Sequence, residues 1–388
     1  MLLSGVADAP RLLAPLREAL DGTGPAIAPL DATQPAARLR ELIAALDPNV
    51  VVDSDGEARV RSCAQERAIS PDTAVIIATS GSTGEPKSVE LGAAALEYSA
   101  RAVLLAVGAR PGDRWLCCLP VSHVAGLQVL VRSLIAETDP VVAPAATAAA
   151  VAGSGCAHIS LVPTQLIRLL ASEDGAAALA RFGSVLVGGA AASAAVPAAA
   201  RTAGIAVRTT YGMSETCGGC VYDGVPLDGV RVRAGDDGRL RISGPVLMNR
   251  YHGRPDLTAQ VLHNREFVTS DLGHADGGRV VVRGRADDVI NTGGHKVVPG
   301  EVAAELETCP GVRQVVVVGR PDREWGERVT AVVVPADPAD PPSLELLRMH
   351  VGTRLPRYAC PSEVVLTEAI PVLPSGKPDL AALKEART

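Results

Sequence analysis

A chain of 388 residues, 47% apolar and 21% charged, is long enough for two to three domains at about 150 residues each and apolar enough to bury a core. Disorder and a small disulfide scaffold are thereby excluded, and a net charge of -6 provides no broad positive field for a polyanion, so nucleic acid is not an expected partner. The longest apolar stretches, Val142 to Ala152 and Ala190 to Ala200, are Ala-rich, interrupted, and shorter than the ~20 residues that span a bilayer. Asp8 and Arg11 break the only apolar block near the amino end, so neither a membrane span nor a secretory leader is expected and the location reads as cytoplasmic. The eight cysteines read as buried small hydrophobes. Cys217-Gly-Gly-Cys220 is the one suggestive spacing, and it lacks the second pair that a structural zinc site would use.

In chain order, residues 1–70 read as a helix-rich lead, with apolar residues at helical spacing over Arg11 to Ala19 and Ala36 to Leu46. From Thr73 short apolar runs (Ala74 to Ala78, Trp115 to Leu119, Ile159 to Val162, Ser184 to Val187, Ile205 to Thr209) alternate with helical stretches (Ala94 to Ala106, Leu127 to Ala136, Gln165 to Ser172). That alternation predicts an α/β fold whose large N-terminal domain, residues 1–286, holds mainly parallel sheet flanked by helices. Between Gly212 and Arg285 the helical pattern stops and Gly/Asp turns separate short strands, a small β subdomain over about 212–286. Residues 287–388 read as a smaller α+β domain, with helices around Glu301 to Glu307 and Leu344 to Leu355 and strands Gln314 to Val318 and Arg328 to Val334.

The strongest chemical signal is Thr79-Ser-Gly-Ser-Thr-Gly-Glu-Pro-Lys87, directly after a predicted buried strand. Gly81 and Gly84 let backbone N–H groups approach an anion, Thr79, Ser80, Ser82 and Thr83 add hydroxyl donors, and Lys87 adds charge, with a Gly/Ser hairpin turn as the plainer alternative. Pro86 stands where a Walker A loop requires Gly, so this is not that motif. In Thr209-Thr-Tyr-Gly-Met-Ser-Glu-Thr216, placed where a strand ends, Tyr211 offers a face for a purine and Glu215 a carboxylate for Mg2+. Core packing and a solvated acid are the plainer alternatives for those two. Asp271 can accept both hydroxyls of a ribose and Arg285 can donate to ribose or phosphate. Asp287-Asp288 equally suits a solvated turn. Leu373-Pro-Ser-Gly-Lys377 places a lysine on a loop stiffened by Pro374 and Pro378.

These four segments, in this order, resemble the adenylate-forming superfamily of acyl-CoA synthetases, nonribosomal adenylation domains and luciferases, from about Thr73 to the end of the chain. The resemblance implies attack of a carboxylate on the α-phosphate of ATP, with Mg2+, to give an acyl-adenylate and pyrophosphate, followed by transfer to a thiol such as coenzyme A. It implies that the Thr79 to Lys87 loop holds the outer phosphates, that Tyr211 stacks on adenine with Gly189, Ala190, Thr210, Gly212 and Ser214 around the nucleotide, and that Glu215 binds magnesium. By the same likeness Asp271 and Arg285 grip the ribose and Lys377 bridges the carboxylate and α-phosphate, where a cation offsets the charge gathered in the transition state. Asp287 aligns with the family hinge, about which rotation would withdraw Lys377 and present Gly293 and Gly294 to pantetheine. His123, in Pro120-Val-Ser-His-Val-Ala-Gly126, aligns with a residue at the border of the acyl pocket. A helix-capping histidine is the alternative. Val162, Pro163 and Thr164, and Gly188 with Gly189 and Ala190, align with walls of that pocket.

Only 78 residues precede Thr79, fewer than in most relatives, which implies a reduced amino-terminal subdomain. Ser270 stands where many relatives carry Gly, a change expected to matter little. The chain looks most like the o-succinylbenzoate-CoA ligases of menaquinone biosynthesis. Such a substrate keeps a second carboxylate that a cation or several donors must satisfy, and Gln128 or Arg132 on the helix after His123 could do so. The partners expected are therefore a small carboxylic acid, ATP and CoA, and a homo-oligomer is compatible with the reading. Alternatives are another small aromatic or aliphatic acid, loading of a carrier protein through a basic patch of His295, Lys296, Arg320 and Arg323, an inactive nucleotide-binding relative, and a P-loop NTPase. The last predicts phosphate release rather than pyrophosphate and AMP.

Overall fold

The helix expected over Ala36 to Leu46 forms with those bounds, and its buried Leu42 and Leu46 pack with Leu30 and Ile76. In the computed structural model residues 1–60, 68–80, 86–189, 195–373 and 377–385 are described. The lead is less purely helical than its periodicity predicts. Leu2–Leu3 pairs in parallel with Leu30–Asp31, and Val50–Val52 pairs antiparallel with Ala58–Val60. Strands of two or three residues are too short to leave an alternation signal.

From Trp115 the runs Trp115–Cys117, His158–Leu161 and Ser184–Val187 are buried at every position, as parallel strands covered on both faces must be. They belong to a seven-stranded sheet ordered Val225–Pro226, Gly218–Tyr222, Val207–Met213, Ser184–Val187, His158–Leu161, Trp115–Cys117, Val141–Val142. Its last five strands are mutually parallel, and Gly218–Tyr222 and Val225–Pro226 add on antiparallel. Helices Ala93–Ala106, Val124–Ile135 and Pro163–Leu170 fall where the helical spacing put them.

Three expectations need correcting. The strand Thr73–Ser80 is not part of the parallel sheet; it pairs antiparallel with Pro86–Gly92, which pairs in turn with Arg250–Tyr251. A buried apolar run looks alike in either sheet, and the remote strand that completes this one, Arg250–Tyr251 on the far side of Pro86–Gly92, has no local signature. The strand expected over Ile205 to Thr209 runs on as Val207–Met213, so Tyr211 lies within it rather than beyond its end. The segment between Gly212 and Arg285 is not free of helix: Pro255–Val261 forms one, with Pro at its first turn and no buried residue, hence no amphipathic stripe to read.

In the carboxy-terminal part, the hairpin Val312–Asp322 and Gly326–Pro335 centres a five-stranded sheet with Ile290–Thr292, His295–Val297 and the parallel strand Glu363–Leu366. Helices Pro299–Leu306 and Leu344–Gly352 bury Val302, Leu306, Leu347 and Val351 against Val317, Val329, Ala331 and Val333. Leu383, on the Leu380–Glu385 helix, packs with Val318, Val332 and Val365.

The chain is thus a two-domain α/β protein with a large mixed-sheet domain and a smaller carboxy-terminal one. Its residues cluster as two compact units, one of Met1–Gly189, Ala199–Val232 and Ile242–Val268, the other of Ala190–Ala198, Arg233–Arg241 and Thr269–Thr388. No helix among the described residues is long and apolar enough to cross a membrane.

Candidate active site

In the larger unit the strand register sets the first cluster. Thr79 faces Lys87 across the antiparallel pair, and the Thr79 hydroxyl donates to the Lys87 carbonyl at 3.1 Å. Gly81, Ser82, Thr83 and Gly84, and Ala190 further on, lie outside the described residues, as does the side chain of Ser80. Lys87 Nζ sits 5.6 Å from the centroid of the Tyr251 ring, a cation–π approach, and the Tyr251 hydroxyl donates to Glu215 Oε1 at 2.7 Å. Tyr251, buried to 4% exposure, therefore joins the two motif residues that sequence reasoning had left apart. Its rarity was the available signal, since the chain holds five tyrosines in all.

Glu215 is fixed from its own backbone. It lies in the 3-10 turn Ser214–Thr216, where Met213 N–H donates to Thr216 Oγ1 at 3.0 Å, Thr216 Oγ1 donates to the Gly218 carbonyl at 2.8 Å, and Met248 N–H donates to the Glu215 carbonyl at 2.9 Å. Its carboxylate is the hard oxygen donor that a magnesium–phosphate complex takes, so the residues present suit MgATP. Tyr211 stands half-buried on the neighbouring strand at a register shift, where a side chain on Gly212 would collide with the Gly218 carbonyl.

The larger unit also holds a cavity of about 90 Å³. Val162, Gly188, Gly189, Thr210 and Gly212 line it, as do Gln128 and Arg132. Pro163 and Thr164 do not. Pro163 is the first residue of the Pro163–Leu170 helix and Val162 its N-cap, so the chain turns away from the cavity there. His123 is exposed at the N-cap of Val124–Ile135 and makes no capping bond with its side chain, against the capping alternative. It does not line the cavity, whereas its neighbours Val124 and Ala125 do.

Gln128 and Arg132, one turn apart on that helix, differ in what they can bind. The Gln128 amide nitrogen donates to the Cys217 carbonyl at 2.9 Å and the Leu96 carbonyl at 3.4 Å, and its Oε1 is buried without a donor. A carboxylate would meet that oxygen and be repelled, so Gln128 is withdrawn as an acid-binding group. Arg132 is 4% exposed, donates from Nη2 to Ser160 Oγ at 3.1 Å, and keeps a buried Nε without a partner. No carboxylate among the described residues lies within ion-pair distance of it. Burial lowers its pKa from 12.5 to about 10, opposed by Tyr222 and Cys117. The same burial raises Tyr222 to about 12. Arg132 is thus a cation inside the protein with capacity left for an anion.

The thiols here are inert. Burial raises Cys220 to about 12 and Cys217 further, which argues against nucleophilic or redox use of that pair.

In the smaller unit Asp271 and Arg285 face each other across the pair Glu266–Asp276 and Arg279–Arg285. Arg285 Nη1 is 3.3 Å from Asp271 Oδ1, and Nη2 is 2.9 Å from Asp287 Oδ2, so the expected hinge residue is an ion-pair partner of the expected ribose group. Burial works against the Arg285 charge, yet Asp271, Asp287 and Asp288 together raise its pKa. Asp271, 7% exposed, is held by its N–H donating to Thr269 Oγ1 at 3.0 Å. Gly293 and Gly294 turn the chain between Ile290–Thr292 and His295–Val297 with positive φ, and a side chain on Gly293 would strike the Trp325 ring. Lys377 is exposed, its carbonyl accepting from Leu373 N–H at 2.8 Å beside the Val372–Pro378 bridge. Arg320 leaves the expected basic patch: it is 8% exposed, pairs with Glu363 at 3.3 Å and donates to the Leu383 carbonyl at 2.9 Å.

Comparison with known proteins identifies the family of the chain. The AMP-binding enzyme family matches residues 54–252, and the AMP-binding enzyme C-terminal domain matches residues 301–377. A probable 2-succinylbenzoate–CoA ligase of Mycobacterium tuberculosis is 42% identical over 360 residues, 89% of this chain and 93% of that protein. A feruloyl-CoA synthase of Amycolatopsis is 33% identical over 335 residues, covering 79% of this chain and 68% of that one. Among solved structures, the o-succinylbenzoate CoA synthetase of Bacillus subtilis with its acyl-adenylate superposes with TM-score 0.72 at 26% identity, covering 97% of this chain and 81% of that one. ATP-bound MatB from Rhodopseudomonas palustris shares the fold, with TM-score 0.85 at 23% identity over 99% of this chain and 88% of that one. The chain therefore belongs to the AMP-binding enzyme family, as an ATP-dependent enzyme that forms acyl-adenylates and acyl-CoA thioesters.

Proposed function

We propose that the acid is 2-succinylbenzoate and that the enzyme makes its CoA thioester for menaquinone biosynthesis in the cytoplasm. The observation that carries this reading is Arg132: a buried guanidinium at the cavity wall, with no carboxylate among the described residues to neutralise it, calls for a substrate with an anionic group besides the one that reacts. A monocarboxylate would leave that cation unpaired. The likeness to the Mycobacterium tuberculosis ligase over 93% of its length supports the same acid.

In the first step the free carboxylate oxygen attacks the α-phosphorus of MgATP and pyrophosphate leaves. Lys87 and the loop before it hold the outer phosphates, Glu215 holds the magnesium of the nucleotide, Tyr211 packs on adenine, and Asp271 with Arg285 binds the ribose. Lys377 offsets the repulsion between carboxylate and triphosphate. In the second step the CoA sulfur attacks the acyl carbonyl and AMP leaves, with His123 at the border of the acyl site, Gly293 and Gly294 beside the pantetheine, and Asp287 as the hinge.

The test is pyrophosphate release from MgATP with 2-succinylbenzoate, benzoate and a medium-chain fatty acid in parallel, with and without CoA. Release with 2-succinylbenzoate, and a CoA thioester as product, is expected. Release only with another acid would discard the menaquinone assignment, and a Lys377→Ala variant with full adenylation activity would discard the mechanism.

A further inference from the structure

Arg132 is backed by a column of side chains that the adenylation chemistry does not use. Its guanidinium carbon lies 4.1 Å from the centroid of the Trp115 ring. The indole meets the His158 ring at 4.8 Å and 33°. His158 Nδ1 is 2.8 Å from Ser184 Oγ, and its Nε2 is 3.3 Å from Asp113 Oδ2. Register assembles this column: Trp115 pairs with His158, and His158 with Ser184, across three adjacent parallel strands, so the three side chains stand in one row on one face of the sheet. All three are buried, at 0%, 2% and 1% exposure.

A buried arginine is ordinarily held by a carboxylate, which accepts its N–H groups and neutralises it. An aromatic face holds the guanidinium plane in place while accepting none of its hydrogen bonds and none of its charge. Among the described residues only Ser160 Oγ draws on the guanidinium, from Nη2. Burial lowers the pKa of His158 against the pull of Asp113.

We propose that Trp115 is a specificity-determining positioning residue of the acyl site, holding the Arg132 guanidinium in place over its ring, charged and with donor capacity to spare, for the non-reacting carboxylate of a two-carboxylate acid, with His158 fixing the indole in turn. This rests on the reading of Arg132 given above. Trp115 itself touches no substrate; it acts through the guanidinium.

The experiment compares 2-succinylbenzoate with 4-oxo-4-phenylbutanoate, the same molecule without the ring carboxylate, in wild type, Trp115→Phe and Arg132→Met. The expected result for Trp115→Phe is about a tenfold loss of the preference for the two-carboxylate acid, carried by KM, with kcat for the monocarboxylate and KM for ATP unchanged. An equal loss for both acids means packing alone and overturns the proposal. Loss of preference in Arg132→Met but not in Trp115→Phe overturns it while leaving the reading of Arg132 intact. Preference kept in Arg132→Met overturns both.

A second measurement does not depend on the Trp115 variant folding. The chain has two tryptophans, so in Trp325→Phe protein the emission reports Trp115 alone. 2-Succinylbenzoate should shift that emission, the monocarboxylate should not, and Arg132→Met should abolish the shift. Emission indifferent to 2-succinylbenzoate overturns the proposal.

Discussion

Glu90 and Arg132 are both buried charges in the larger unit, at 0% and 4% exposure, and they are treated oppositely. Glu90 accepts from Ser70 N–H at 3.0 Å, Thr73 Oγ1 at 3.2 Å and Arg250 Nε at 3.0 Å, and lies 2.9 Å from His252 Nδ1. Among the described residues Arg132 has one hydroxyl acceptor and an aromatic face. Glu90 ties the strand Pro86–Gly92 to the segment around Arg250–Tyr251, which puts Lys87 and Tyr251 side by side. A saturated buried ion is part of the framework, whereas an unsaturated one at a cavity wall is a receptor.

The largest effect expected from this contrast is on stability. Glu90→Ala should cost about 3 kcal/mol in urea unfolding, because it strands His252 and Arg250, while the preference between the two acids survives. The same group sets an acid limit. Burial alone would raise the Glu90 pKa, but the bonds from His252 and Ser70 and the charge of Arg250 lower it from 4.5 to about 2. A depressed folded-state pKa gives stability that is complete above 4.5 and lost as pH falls from there through about 2. Glu90→Ala should flatten the unfolding profile in that window; an unchanged profile would remove Glu90 from the framework.

Next in size, Arg132→Met should lower kcat/KM for 2-succinylbenzoate about a hundredfold, ~2.7 kcal/mol of transition-state stabilisation, without loss of stability. If it destabilises the protein as Glu90→Ala does, the distinction between framework ion and receptor fails. The smallest effect is expected for Tyr251→Phe, which keeps the ring over Lys87 and deletes the 2.7 Å bond to Glu215. A roughly fivefold rise in KM for ATP with the acid preference unchanged corresponds to ~1 kcal/mol for one hydrogen bond. A change in acid preference instead would join the two regions that the structure separates.

Residues whose role depends on near neighbours were legible before any fold was known. The expectation that Thr79 to Lys87 holds an anion rests on residue types within a single loop, and the Ala36–Leu46 helix follows from its spacing. Trp115, His158 and Tyr251 went unremarked because each acts through a partner remote in sequence. Gln128 and Arg132 looked interchangeable as polar residues on one helix. Only the tertiary structure brings in the carbonyls of Leu96 and Cys217, which occupy the Gln128 donors, while Arg132 keeps a buried Nε without a partner.

By itself, the order of the motifs determined the family, the two-step chemistry expected of it and an α/β architecture, since local composition and spacing encode loops, helices and buried strands. The tertiary structure alone decided that Thr73–Ser80 leaves the parallel sheet to pair with Pro86–Gly92, which takes its other partner, Arg250–Tyr251, from far along the chain. It also decided that Tyr251 meets Glu215 and that Arg132 is backed by an indole rather than an acid. Strand register and helix packing set those pairings, and both are settled by burial summed over the whole core rather than by any residue and its sequence neighbours.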